Sequence, residues 1–184
     1  MKKKKEKVKG RAAAVIGMVL LIVLSIPLGM GFSLVRARNA ASEHFYGSYD
    51  TFGLVEDLSY CSGEAMNMTT LAGKYMEADN EKITAVREWS SRLEAAERPS
   101  EKAQAYGELT LHINALYNEL CSVEMSAEDE SYREEIYSDF VMYVDLVSYS
   151  EYNVEATEFN ETFRNAPGRV IGEWMGVKEL ELFA

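Results

Sequence analysis

AAAVIGMVLLIVLSIPLGMGFSLV, Ala12–Val35, is a run of 24 residues without a charged side chain. Rising about 1.5 Å per residue, a helix of this length reaches roughly 36 Å, which spans a hydrocarbon core of about 30 Å with some tilt. The run is too long for a buried core helix, and it exceeds the apolar stretch of about 7 to 15 residues found in a cleaved secretory signal. It reads as one N-terminal transmembrane helix. In lipid an unpaired backbone group is costly, so Pro27 is expected to bend the helix rather than end it.

Charge on either side gives the helix a direction. Residues 1–11 carry seven basic side chains (Lys2, Lys3, Lys4, Lys5, Lys7, Lys9, Arg11) against the single acid Glu6, while the other 12 basic residues lie beyond the anchor among 29 acidic ones. The positive-inside rule predicts a cytoplasmic basic tail (1–11), an anchor (12–35) and an extracytoplasmic domain (36–184) of a single-pass cell-membrane protein. Anionic headgroups attract the Lys run at about 1 kcal/mol per charge near the surface, making membrane lipid the first expected partner. The strongly acidic remainder argues against nucleic acid, whose phosphates need positive surface.

The 149 residues from Arg36 suit a single domain, and their pattern is helical almost throughout. A first segment, 36–46, continues the anchor up to Gly47-Ser48. A second helix is expected over about 50–75. Ile83, Val86, Trp89 and Leu93 mark a third, ending before Pro99. With Ser100 as a cap, Ala103, Tyr106, Leu109, Ile113, Leu116 and Leu120 mark a fourth. Tyr132, Ile136, Phe140, Tyr143 and Val147, continued by Tyr149, Tyr152, Ala156, Phe159 and Phe163, predict one last helix of more than thirty residues, closed at Pro167. A short helix over 168–176 presents Val170, Ile171 and Trp174. Long helices joined by short loops give an all-α, antiparallel bundle.

Near the C-terminus the spacing carries more information. Tyr152-Asn153 and Phe159-Asn160 are aromatic-Asn pairs seven residues apart, on one face of a helix; Phe163, Pro167, Trp174, Gly176 and Phe183 follow. This resembles the LemA family, whose members carry a short N-terminal tail, one membrane helix and a helical domain with paired Tyr-Asn dipeptides, a Phe-Pro, and a Gly-Phe before a terminal aromatic pair. Here Phe159 stands for the second Tyr, Ala166-Pro167 for the Phe-Pro and Gly176-Val177 for the Gly-Phe. Upstream, Asn67, Gly73, Tyr75 and Val86-Arg87 resemble a second family region, whereas Leu58 to Met66 lacks the Arg and Pro expected before it. The resemblance implies a membrane-anchored bundle without enzymatic chemistry and names no ligand.

Residue types that carry chemistry are sparse. His44 and His112 are the only histidines, neither with a Cys or a second His within a turn, so no metal or other cofactor is expected. Glu124, Glu128, Asp129, Glu130, Glu134 and Glu135 lack the order of a calcium loop and suit a solvated helix start. No nucleophile elbow, phosphate loop or His-Glu-x-x-His is present, and no pair of carboxylates stands out, so the chain is not expected to be an enzyme. Asn153 and Asn160 are expected to bond across a helix seam or to neighbouring backbone and fix register, and Tyr143, Tyr149 and Tyr152 to form core and boundary contacts. Cys61 and Cys121 permit one disulfide in an oxidising compartment; the alternative is two buried free thiols. The expected role is a scaffold or protein-interaction module of the cell envelope, acting on a protein partner or on itself. A small-ligand or metal-binding envelope domain is the second reading and an envelope hydrolase the third.

Overall fold

A computed structural model describes residues 2–165 and 167–184, with side chains from Ala14 onward. The basic side chains of residues 2–11 and the Ala of Ala166-Pro167 lie outside the described residues. The fold is all-α: seven helices among the described residues.

Helix α1, Lys2–Tyr46, runs through Pro27 without interruption. Its large apolar side chains from Val15 to Ile26 are all more than half exposed, and the helix is long and apolar enough to cross a membrane. The character then changes. Leu34, Ala41 and Phe45, at helical steps of seven and four, are buried against the rest of the chain. Packing therefore starts inside the predicted anchor, before residue 36. The helix stops at Gly47, whose φ of +76° is open to glycine and whose N–H donates to Glu43 O at 2.8 Å.

Helices α2 (Leu54–Ala72), α3 (Glu81–Ala95), α4 (Pro99–Leu120) and α5 (Ala127–Ser148) form a four-helix bundle in which α2 packs against the other three. Leu58, Met68, Ile83, Leu109, Ile113 and Leu116 are fully buried in it. Helices α3 and α5 start where a side chain takes up an orphan amide. The Asn80 side chain accepts from Lys82 N–H, and Ser126 Oγ accepts from Asp129 N–H at 3.1 Å. Pro99 opens α4 at its first position, where a missing N–H costs nothing, so the predicted cap Ser100 already lies inside the helix. The expected stripes are displaced in places. Ser90, not Trp89, is buried on α3, and Lys102 and Ala105, rather than Ala103 and Tyr106, begin the buried face of α4.

The predicted thirty-residue last helix is two helices. Helix α5 ends at Ser148 and α6 spans Tyr152–Arg164. At the break Ser148 Oγ donates to Asp145 O at 2.7 Å, beside the backbone bond that oxygen accepts from Tyr149 N–H at 3.1 Å, and Ser150 Oγ accepts from Tyr152 N–H at 3.3 Å, taking up the first amide of α6. Partner choice explains the division: α5 packs on α2, whereas α6 packs on α1. Tyr149, expected on the apolar stripe, sits at the break and is 81% exposed. A short helix α7, Gly168–Trp174, also packs on α1, and residues 177–184 form an extended tail.

Candidate interaction site

The tail is held to α6 by the two asparagines of the C-terminal motif. Asn160 Nδ2 donates to Leu180 O and its Oδ1 accepts from Leu180 N–H, both at 2.8 Å. Asn153 repeats this on Phe183, at 2.7 Å to the carbonyl and 2.8 Å from the N–H. The spacing is a matter of pitch: seven residues of helix advance about 10.5 Å, and three residues of extended chain about 10 Å. The asparagines thus fix register against backbone, and the seam is between a helix and a strand-like tail rather than between two helices.

Neighbouring groups reinforce the clasp. Tyr152 Oη donates to Glu181 O, and burial pushes the phenol up to about 12. The Glu181 carboxylate accepts from Ser100 Oγ and, at 2.9 Å each, from Nε and Nη2 of Arg98. The Ser100 hydroxyl and then the Arg98 guanidinium hold this carboxyl below its usual range. Arg38 Nε reaches Lys178 O at 3.1 Å and Arg164 forms a fork with Glu179 at 2.9 and 2.7 Å. The Phe183 ring lies between Phe45, 6.4 Å away, and Tyr106, 6.0 Å away. The tail therefore ties together α1, α4 and α6.

Most of the remaining motif residues gather on the same seam. Phe159 and Phe163 are buried with their rings 6.0 Å apart, and a Cβ placed on Gly172 would meet Phe163 Cε2 at 2.5 Å. Gly176, φ +74°, turns the chain out of α7 into the tail; its N–H bonds Glu173 O, and Val177 N–H bonds Gly172 O at 2.8 Å. Pro167 directly precedes α7. Trp174 is the exception, 71% exposed.

Two chain crossings, the α1–α2 loop and the α5–α6 break, lie beside this clasp. A cavity of about 290 Å³ there is lined by Leu54 of α2, Val147 and Ser148 of α5, and Asn153 and Phe183 of the clasp. Around the crossings stand Tyr46, Tyr49, Phe52 and Tyr149, 62%, 106%, 80% and 81% exposed, and the exposed Met142 and Leu146 lead up to Tyr149 along α5. Tyr143, by contrast, stacks on Tyr60 with 4.9 Å between rings.

The cysteines are both free, Cys61 buried in α2 and Cys121 exposed at the end of α4. The disulfide the sequence permits is therefore not formed, and Cys121 departs from the alternative of two buried thiols by standing exposed. Burial drives the Cys61 thiol up to about 12. The acidic helix start is engaged in ordinary ion pairs: Asp129 accepts from Lys74 Nζ at 2.8 Å and from Tyr75 Oη, and Glu134 pairs with Arg133. No group of three metal-ligating side chains occurs among the described residues.

Two buried polar features and one half-buried one escape the sequence pattern. Lys102 Nζ donates to Leu93 O at 2.8 Å and completes the end of α3, Ser62 and Ser90 share a hydrogen bond of 2.7 Å between α2 and α3, and Arg133 Nη1 donates to Leu120 O at the end of α4. The serines interrupt apolar stripes, which is the signal they give.

Protein-family models, curated proteins and solved structures contain no match to this chain.

Proposed function

We infer that the chain is a single-pass cell-membrane protein whose helical bundle, exported from the cytoplasm, is a protein-interaction module of the envelope. The observation that carries this reading is the exposed aromatic surface at the crossings. Tyr46 at the end of α1, Tyr49 and Phe52 in the α1–α2 loop and Tyr149 at the α5–α6 break stand in water beside the tail clasp. Isolated exposed apolar residues are ordinary, but several large aromatics on adjoining loops are what a protein partner covers. The cavity beside them, about 290 Å³, is at the lower edge of what a small ligand fills, so the surface carries more than the void. The basic run before α1 supports a cytoplasmic N-terminus, and the resemblance of the Asn153/Asn160 motif to the LemA family supports a membrane-anchored bundle without catalytic chemistry.

The reading is tested by placing a photo-crosslinking amino acid at Tyr49, Phe52 or Tyr149 in the full chain in living cells, with Glu135 on the acidic helix as the comparison. Crosslinked protein is expected from the aromatic positions. Equal yields from Glu135 would overturn the assignment.

A further inference from the structure

Helix α7 has three unlike faces. Gly168 and Gly172, four residues apart, are buried; Arg169 and Glu173, also four apart, pair at 3.5 Å in the open; Val170 and Trp174, the next such row, are 68% and 71% exposed. The apolar arc thus continues from the core around to an unpartnered Val-Trp face, with the charged row on the other side.

The height of this face is fixed by α1. A Cβ on Gly31 would overlap Met175 Sδ, so the end of α7 rests directly on the Gly31 backbone, and one on Gly172 would lie 3.6 Å from Leu34 Cδ1. Gly31 and Leu34 belong to the charge-free run that ends at Val35, and four residues of helix are about 6 Å. The neighbouring α1 side chains Leu28 and Phe32 are 42% and 64% exposed. Charge changes at the same level. The stretch 164–179 and the first turn after the run hold Arg36, Arg38, Arg164, Arg169 and Lys178, five of the 12 basic residues beyond the anchor, but only Glu173 and Glu179 of the 29 acidic ones.

We propose that α7 lies in the membrane interface beside α1, with Val170 and Trp174 inserted at the boundary of headgroups and acyl chains. An apolar face ending in Trp and flanked by basic side chains fits that layer, where an indole keeps its ring in hydrocarbon and its N–H in water. This rests on α1 crossing the membrane and is independent of the aromatic surface at the crossings.

The full chain carrying Trp89→Phe, with Trp174 as its one indole, is reconstituted into vesicles of phosphatidylcholine and phosphatidylglycerol, with and without lipids brominated in the upper acyl chain. Trp174 emission is expected to be blue-shifted, to lose most of its intensity to the brominated lipid, and to resist acrylamide. The wild type gives the same answer if the Trp89→Phe variant misfolds, because the bromine-quenched fraction should vanish in Trp174→Phe. Free access of acrylamide without lipid quenching would overturn the proposal. Shielding from acrylamide without lipid quenching would place protein over the face and overturn it equally. Failure of the chain to float with vesicles would instead remove the membrane crossing itself.

Discussion

The rings of Phe183 and Tyr106 lie 6.0 Å apart, joining the last extended residues of the chain to the second turn of α4. Phe183 is half-buried and its neighbour Leu182 exposed. Truncating Phe183 to Ala is expected to cost about 2 kcal/mol, below the range for a fully buried ring, and Leu182→Ala no more than about 0.5. Thermal or urea unfolding of the two variants checks this, and equal effects would show that the tail does not brace the bundle.

Asn160 is the more buried of the two clasp residues. Replacing it with Ala leaves the Leu180 N–H and C=O without partners, for an expected loss of about 2 to 3 kcal/mol, whereas Asn153→Ala, nearer solvent, should cost about 1. In the double variant, amide exchange at residues 180 and 183 should approach that of free chain while α3 and α4 remain protected. Retained protection at those two amides would mean that the ring contacts alone hold the tail.

Glu181 gives the clasp a pH dependence. Its carboxyl is held below the usual 4.5 by Ser100 and Arg98, so the folded state binds its proton less readily than the unfolded one. The associated stability is present above pH 4.5 and is lost as pH falls through the lower folded value. Wild type should therefore melt above Glu181→Gln at neutral pH, and the gap should close in acid and narrow in high salt. A gap that is constant with pH would assign the effect to shape rather than charge.

The two thiols should behave differently. An impermeant maleimide is expected to label Cys121 in intact cells once the outer barrier is open, and Cys61 only after unfolding, because the buried thiol stays protonated. Intact mass of the unfolded, never-reduced protein should then show two labelled thiols. Labelling of Cys121 only after the inner membrane is lysed would reverse the orientation argued from Lys2 to Arg11.

The long apolar N-terminal helix, the helical class and most buried positions are legible in the sequence, because Ile83, Leu109, Ile113, Ile136 and Phe140 each recur on one face whatever surrounds them. The Asn-aromatic spacing also marks the two side chains that bond the tail backbone. Three things escape pattern reading. The break at 149–151 interrupts an apolar stripe that continues across it, since α5 and α6 turn equally apolar faces to different partners. The partner of Asn153 and Asn160 is an irregular tail with no periodicity to read. Lys102 and Ser90 occupy core positions because each meets a buried acceptor that only the fold brings near.

Helix α1 passes from its exposed apolar part to the buried Phe45 with no linker between them. With α1 across a bilayer, as proposed, the apolar helix and the bundle are one lever. Helices answer a bilayer thinner than their apolar length by tilting, and a tilt of α1 swings Phe45, the tail clasp and the aromatic loops through the same angle. On the proposed crossing, bilayer thickness sets the direction in which those loops face, so the bundle's reach along the membrane follows the lipid around it.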